Sequence, residues 1–107
     1  MGPRTAQLST ALADIVALLR SENEQHWSQY IADCRNRLVA SDYSGIEKLL
    51  SSYGGMGSFN DLVLGYSEAA GGWRPEARER NDKLNLLRSR AYELAQDIRR
   101  NSVIGSN

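Results

Sequence analysis

Residues that usually announce chemistry are scarce in this sequence. Its 107 positions hold one cysteine, Cys34, one histidine, His26, two prolines and one phenylalanine. A lone thiol closes no intramolecular disulfide, and with no partner cluster around it we expect a reducing, cytoplasmic setting. One His and one Cys cannot form a structural zinc site. Neither a His-Glu-x-x-His pair nor an Asp-rich calcium loop occurs, so no metal and no cofactor is expected. Long apolar runs are missing too. The longest near the N-terminus, Ile15-Val16-Ala17-Leu18-Leu19, falls far short of the roughly 20 residues a membrane span needs. No secretory pattern precedes it, and Ala6 stands where a myristoylation signal wants Ser or Thr.

An excess of either charge is likewise absent, with 13 Lys and Arg against 13 Asp and Glu. That balance removes the broad attraction to nucleic acid or anionic lipid. The halves differ mildly: residues 1–73 carry five bases and eight acids, residues 74–107 the reverse. The later arginines, Arg74, Arg78, Arg80, Arg88, Arg90, Arg99 and Arg100, alternate with Glu76, Glu79, Asp82, Glu93 and Asp97. This pattern describes a solvated, salt-bridged helix face, and no nucleic-acid partner is expected.

What the sequence does have is helical periodicity. Leu8, Leu12, Ile15 and Leu19 fall four, three and four apart, one face of a helix, and Ala11, Val16 and Leu18 widen the stripe until it wants cover on a second side, from the chain or from a partner. Ser21 followed by Glu24 has the spacing of a capping box, opening a second helix with Trp27, Ile31, Cys34 and Leu38 inward. Ser44 and Glu47 repeat that spacing before Ile46, Leu49, Leu50 and Tyr53, and Gly54 supplies a stop. Beyond it, Ser58 and Asp61 cap a short helix with Phe59, Leu62, Val63 and Tyr66 inward, although residues 62–64 also fit an extended piece. After a small-residue loop, Pro75 suits the first position of a last helix whose Ala77, Arg80, Leu84, Leu87, Ala91, Leu94 and Ile98 alternate spacings of three and four. The expected fold is therefore all-α: one domain over residues 1–107, an antiparallel bundle of about four principal helices with a Gly-rich corner, frayed at 1–4 and 101–107.

Catalytic residues are not apparent. His26 lacks a nucleophile or orienting carboxylate in sequence, and Cys34 lies on an apolar face, where a thiol stays protonated and inert. The glycine corner offers a backbone nest for a small anion, with Gly55, Gly57, Ser58, Asn60 and Asp61 as candidate ligand-binding residues, against the plainer reading of a sharp turn between packed rods. It has neither the Gly-Lys-Ser/Thr ending of a phosphate loop nor a preceding strand. Trp73, in a glycine-rich loop, either plugs the bundle end or anchors a partner, and with Leu84 and Leu87 of the heptad seam it forms the candidate contact set.

The block Tyr53-Gly54-Gly55-Met56-Gly57-Ser58-Phe59-Asn60-Asp61-Leu62, preceded by Ser44 to Leu50 and followed by Asn81 to Ile98, resembles a small bacterial family of helical domains without an established activity. The resemblance spans roughly residues 24–100 and implies a compact helical domain, with no reaction attached. Together these readings favour a noncatalytic domain acting through protein contact or homodimerisation. An immunity or antitoxin role is one form of that reading, and a small-anion binder or enzyme at the glycine corner is its rival.

Overall fold

A computed structural model describes residues 2–54 and 57–103, without the side chains of Ser102 and Val103. Four α-helices carry the architecture: α1 (Pro3–Ser21), α2 (Gln25–Val39), α3 (Ser44–Ser51) and α4 (Ala77–Val103). Between α3 and α4 lie one 3-10 turn (Phe59–Asp61) and two strands, β1 (Tyr66–Ser67) and β2 (Gly72–Trp73), paired antiparallel with Tyr66 opposite Trp73 and Ser67 opposite Gly72. The all-α expectation holds, with that minute hairpin as an addition. Residues 3–4 and 101–103, expected to fray, are helical.

Helix α1 packs against both α2 and α4, and α3 closes the bundle against the same two helices. This placement explains the wide apolar stripe of α1. Leu8, Leu12, Ile15 and Leu19 are fully buried, and Ala11, Val16 and Leu18 are buried as well. The second side needs no partner: it is covered from within the chain. Ile31, Cys34, Ile46, Leu49, Phe59, Leu84, Ala91 and Ile98 complete the same core.

The helix ends correct the sequence reading. Ser21 does not open α2; it closes α1, with its hydroxyl donating back to the Leu18 carbonyl. The stop is Asn23, which takes φ 58°, so that its N–H reaches the Arg20 carbonyl while the Glu24 N–H reaches Leu19. Those two bonds are the paired six-to-one and five-to-two contacts of a helix C-terminus with a left-handed residue beyond it. Ser41, at φ 62°, ends α2 the same way, with Ser41 bonding Leu38 and Asp42 bonding Arg37. Asparagine tolerates this conformation; serine does so less readily. At α3 the expected capping box is also replaced, because the Ser44 N–H is held by the Asp42 carboxylate at 3.0 Å. Hydrogen bonding from Ser44, by its side chain first and by this N–H second, holds the Asp42 carboxyl below its ordinary value. Pro75, expected at the start of α4, precedes it; the proline that does begin a helix is Pro3 in α1.

Helices α2 and α3 approach closely at Gly45, where an added Cβ would stand 2.7 Å from the Cys34 carbonyl oxygen and 3.1 Å from the Leu38 nitrogen. Backbone cannot retreat as a side-chain tip can, so the absence of a Cβ sets this spacing. On the outside, Lys48 of α3 bridges to Asp33 of α2 at 2.7 Å, and Tyr30 donates to the Lys48 carbonyl. We expect Gly45→Ala to lower stability by about 1–3 kcal/mol, the usual scale of overpacking. Urea midpoints measure this; a loss equal to that of exposed Ser51→Ala would show the approach to be adjustable.

Candidate functional site

Residues 57–76 contain too little regular structure to satisfy their own backbone, and α4 supplies partners for part of it. The expected short helix after the corner shrinks to three residues, and Leu62 already has extended dihedral angles. Phe59 alone of its intended inward face is fully buried. Val63 and Tyr66 are 54% and 51% exposed, which corrects the expectation that both face inward.

Two α4 side chains hold this segment. The Asn81 amide donates to the Leu64 carbonyl at 2.8 Å and accepts from the Leu64 N–H at 2.7 Å, as a neighbouring strand would. Arg88, seven residues on, is only 8% exposed. Its guanidinium donates to the carbonyls of Phe59, at 2.6 Å, and Leu62, at 3.0 Å, and also contacts Asn85. Its carbon centre lies 5.7 Å from the Phe59 ring. Burial disfavours the charged form and lowers the Arg88 pKa, yet arginine remains a cation, stabilised by carbonyl dipoles and a ring face. Arg88 is thus not part of the solvated face expected of it from sequence.

The described residues of the glycine corner bond to one another. The Phe59 N–H bonds the Ser52 carbonyl, the Ser58 hydroxyl donates to the Gly54 carbonyl at 2.6 Å, and the Asp61 carboxylate accepts from the Gly57 N–H at 2.8 Å. Gly54 at φ 122° and Gly57 at φ 80° occupy backbone regions that side-chain-bearing residues rarely enter. Among the candidate ligand residues, Gly57, Ser58 and Asp61 are therefore engaged with the backbone of the corner itself, and Gly55 lies outside the described residues. Asn60 is exposed and borders a different feature.

That feature is a hollow of about 400 Å³ beside Gly54, bounded by Leu50, Tyr53, Asn60, Ser89, Tyr92 and Glu93. The Tyr53 and Tyr92 rings stand 4.9 Å apart and are tilted by 52°. Behind them the aromatic stack continues through Phe59 to Trp27. Tyr53 is oriented by its hydroxyl, which donates to the Arg88 carbonyl at 2.6 Å, and burial pushes its pKa upward. The lining holds one carboxylate and, among the described residues, no cation, so an anion finds no counter-charge in it.

At the other end of the segment, the hairpin is tied by the Arg74 N–H to the Gly65 carbonyl at 2.7 Å. The buried Glu22 carboxylate, beyond α1, contacts Arg74 and meets Arg80 at 3.1 Å. This joins the α1 end to the beginning of α4 and accounts for the polar break at Arg80 in the heptad seam. Trp73 is 60% exposed, with its ring 5.0 Å from that of Tyr66. A second hollow of about 420 Å³ lies against Trp73, bounded by Arg74, Glu76, Ala77, Arg78 and Asn81. Of the candidate contact set only Trp73 is open: Leu84 is fully buried in the chain's own core and Leu87 packs partly buried against it. The inward stripe of α4 is satisfied by α1 and α3, which corrects its assignment as a free contact face.

Cys34 is fully buried, and the loss of hydration pushes its thiol up to about 11. His26 is exposed near the start of α2, its ring against Trp27. Among the described residues no group of three His, Cys, Asp or Glu side chains is placed to hold a metal ion, and no helix is long and apolar enough to cross a membrane.

These features define a small helical domain whose last helix clasps a glycine-cornered segment. A family model described as a domain of unknown function, DUF6966, matches residues 20–70, from the end of α1 through the glycine corner to the hairpin. The chain is similar to that family there; α4 lies beyond the match. No curated protein and no solved structure matches the chain significantly.

Replacing Arg88 by Met keeps bulk but strands two carbonyls, and we expect a loss of about 2–4 kcal/mol. Exposed Arg99→Met serves as reference and should change stability by less than about 0.5 kcal/mol. Equal urea midpoints for the two variants would show that Arg88 does not hold the segment. For Cys34, a disulfide reagent at pH 8 should modify the native protein only as fast as it unfolds. Rapid labelling that is insensitive to added urea would contradict its burial.

Proposed function

We propose that the chain is a noncatalytic domain of a bacterial cytoplasmic protein that acts by protein contact, and that its contact site is the β1–β2 hairpin. The observation that supports this is the exposed aromatic pair Tyr66 and Trp73 on a rigidly tied hairpin. Large aromatics on a two-strand ribbon bury little against their own chain, and tryptophan and tyrosine are the residue types that most often anchor a protein interface. The bacterial assignment rests on the family resemblance of the glycine-corner block. A noncatalytic role is supported by the separation of the two reactive side-chain types, with Cys34 sealed in the core and His26 at the surface.

The occupant we assign to the hairpin is a partner segment carrying an apolar side chain next to a carboxylate. The Trp73 hollow supplies an aromatic wall for the first. For the second it supplies Arg78, which pairs with no carboxylate within 4.0 Å among the described residues. Immunity or antitoxin action is one biological form that such a contact takes in small helical domains, and no feature of the hairpin favours it over other forms.

Panning a random peptide library on the intact protein tests the assignment. Enriched peptides should pair an aromatic or aliphatic residue with Asp or Glu and lose about tenfold in affinity for Trp73→Ser, while the variant keeps the parent melting temperature. Binders indifferent to Trp73→Ser would reject the hairpin as the site. Light scattering that revealed a dimer split by the same substitution would replace the partner with a second copy and reject the assigned occupant.

A further inference from the structure

We propose that the hollow bordered by Tyr53, Tyr92 and Glu93 is a binding site for an organic cation, an alkylammonium or guanidinium group. The hairpin reading neither supports nor requires this, because the two hollows share no lining residue. Glu93 on α4 lines the hollow and pairs with no Lys or Arg among the described residues, although thirteen such residues occur in the chain. Of the two guanidiniums that most closely precede it on α4, that of Arg90 donates to the Gln7 side chain at 3.3 Å, and that of Arg88 is turned inward and committed to the carbonyls of Phe59 and Leu62. The carboxylate is therefore left facing a hollow with no internal counter-charge.

The walls suit the same guest. Tyr53 and Tyr92, 4.9 Å apart and inclined at 52°, pack against each other as a tilted pair, and both border the hollow. An aromatic face carries a negative quadrupole and attracts a cation within about 6 Å of the ring centre. Both rings are pre-positioned: the Tyr53 hydroxyl is fixed on the Arg88 carbonyl at 2.6 Å, and the Tyr92 hydroxyl accepts from the Gln96 amide at 2.6 Å. Leu50 supplies an apolar contact for methylene or methyl groups. Asn60 and Ser89 make no side-chain hydrogen bond among the described residues and present free acceptors to N–H donors. About 400 Å³ accommodates a trimethylammonium or the end of an arginine side chain. Two aromatic rings, one unpaired carboxylate, and neutral acceptors make an arrangement that recognises positive charge and rejects anions.

The chemistry has two sources, a free small cation or a basic side chain on a partner, and the experiment separates them. Tetramethylammonium chloride and acetyl-Gly-Arg-Gly amide are titrated into the intact 15N-labelled protein, with sodium chloride and sodium acetate as references at equal ionic strength. We expect saturable amide shifts centred on residues 50, 53, 60, 89, 92 and 93 with millimolar Kd. Glu93→Gln and Tyr92→Leu should each weaken binding about three- to fivefold, the scale of an exposed cation–aromatic contact. Retained amide spectra in both variants establish that they fold. Tighter binding of the peptide identifies a partner's side chain as the source, and tighter binding of the free ion identifies a small molecule. Unsaturable shifts matched by sodium chloride, a stronger response to acetate, or unchanged affinity in both folded variants would overturn the proposal.

Discussion

A few hydrogen bonds from α4 to a sparsely paired stretch of backbone tie residues 57–76 to the helical bundle. Residues 57–76 include only one 3-10 turn and two two-residue strands, so most of their carbonyls and N–H groups have no ladder to join. Buried backbone left unpaired is costly. Asn81 answers for Leu64 in both directions, and Arg88 answers for Phe59 and Leu62. The two residues stand two helical turns apart on one face of α4, on either side of the fully buried Leu84. One helix thus serves as both hydrophobic wall and hydrogen-bonding template.

Both surface features follow from this clasp. Anchoring the carbonyl of Phe59 seats its ring in the core, where it meets Trp27 and Tyr53. Tyr53 in turn binds the backbone of Arg88, and with Tyr92 it borders the hollow beside Glu93. Toward the other end, fixing Leu64 sets the start of the hairpin, and Asn81 itself lines the hollow under Trp73. Glu22, held by Arg74 and Arg80, ties the same end to the α1 terminus. At the corner, Gly54 and Gly57 enable the turn, while Ser58 and Asp61 are occupied with the local backbone.

The long helices are legible in the sequence because burial of α1, α2 and α4 imposes a 3.6-residue repeat that few other constraints produce. Leu8, Leu12, Ile15 and Leu19 announce their face without any knowledge of the neighbours. Cys34 is legible for the same reason. The helix termini are not. Ser21 before Glu24 has the composition of a helix start, but Asn23 adopts the left-handed conformation and ends the preceding helix there. A three-residue turn offers both signals at once, and only the direction of the chain beyond it decides between them. Tyr66 escapes a periodic reading because an inward helical stripe cannot continue past Leu62, where the backbone is already extended.

The amino-acid order alone determined that this is a helical domain, which residues of its first and second helices form the core, and which apolar stripe the last helix carries. Packing of remote segments decided the rest: that Arg88 turns inward rather than toward water, that Leu84 is core rather than contact, and that Glu93 and Trp73 border open hollows. The division has a physical cause. Periodic burial is a local property written within a few turns of helix, whereas the partner of a buried guanidinium or the cover of an aromatic ring lies tens of residues away. For Arg88 that partner is the Phe59 carbonyl, 29 positions earlier.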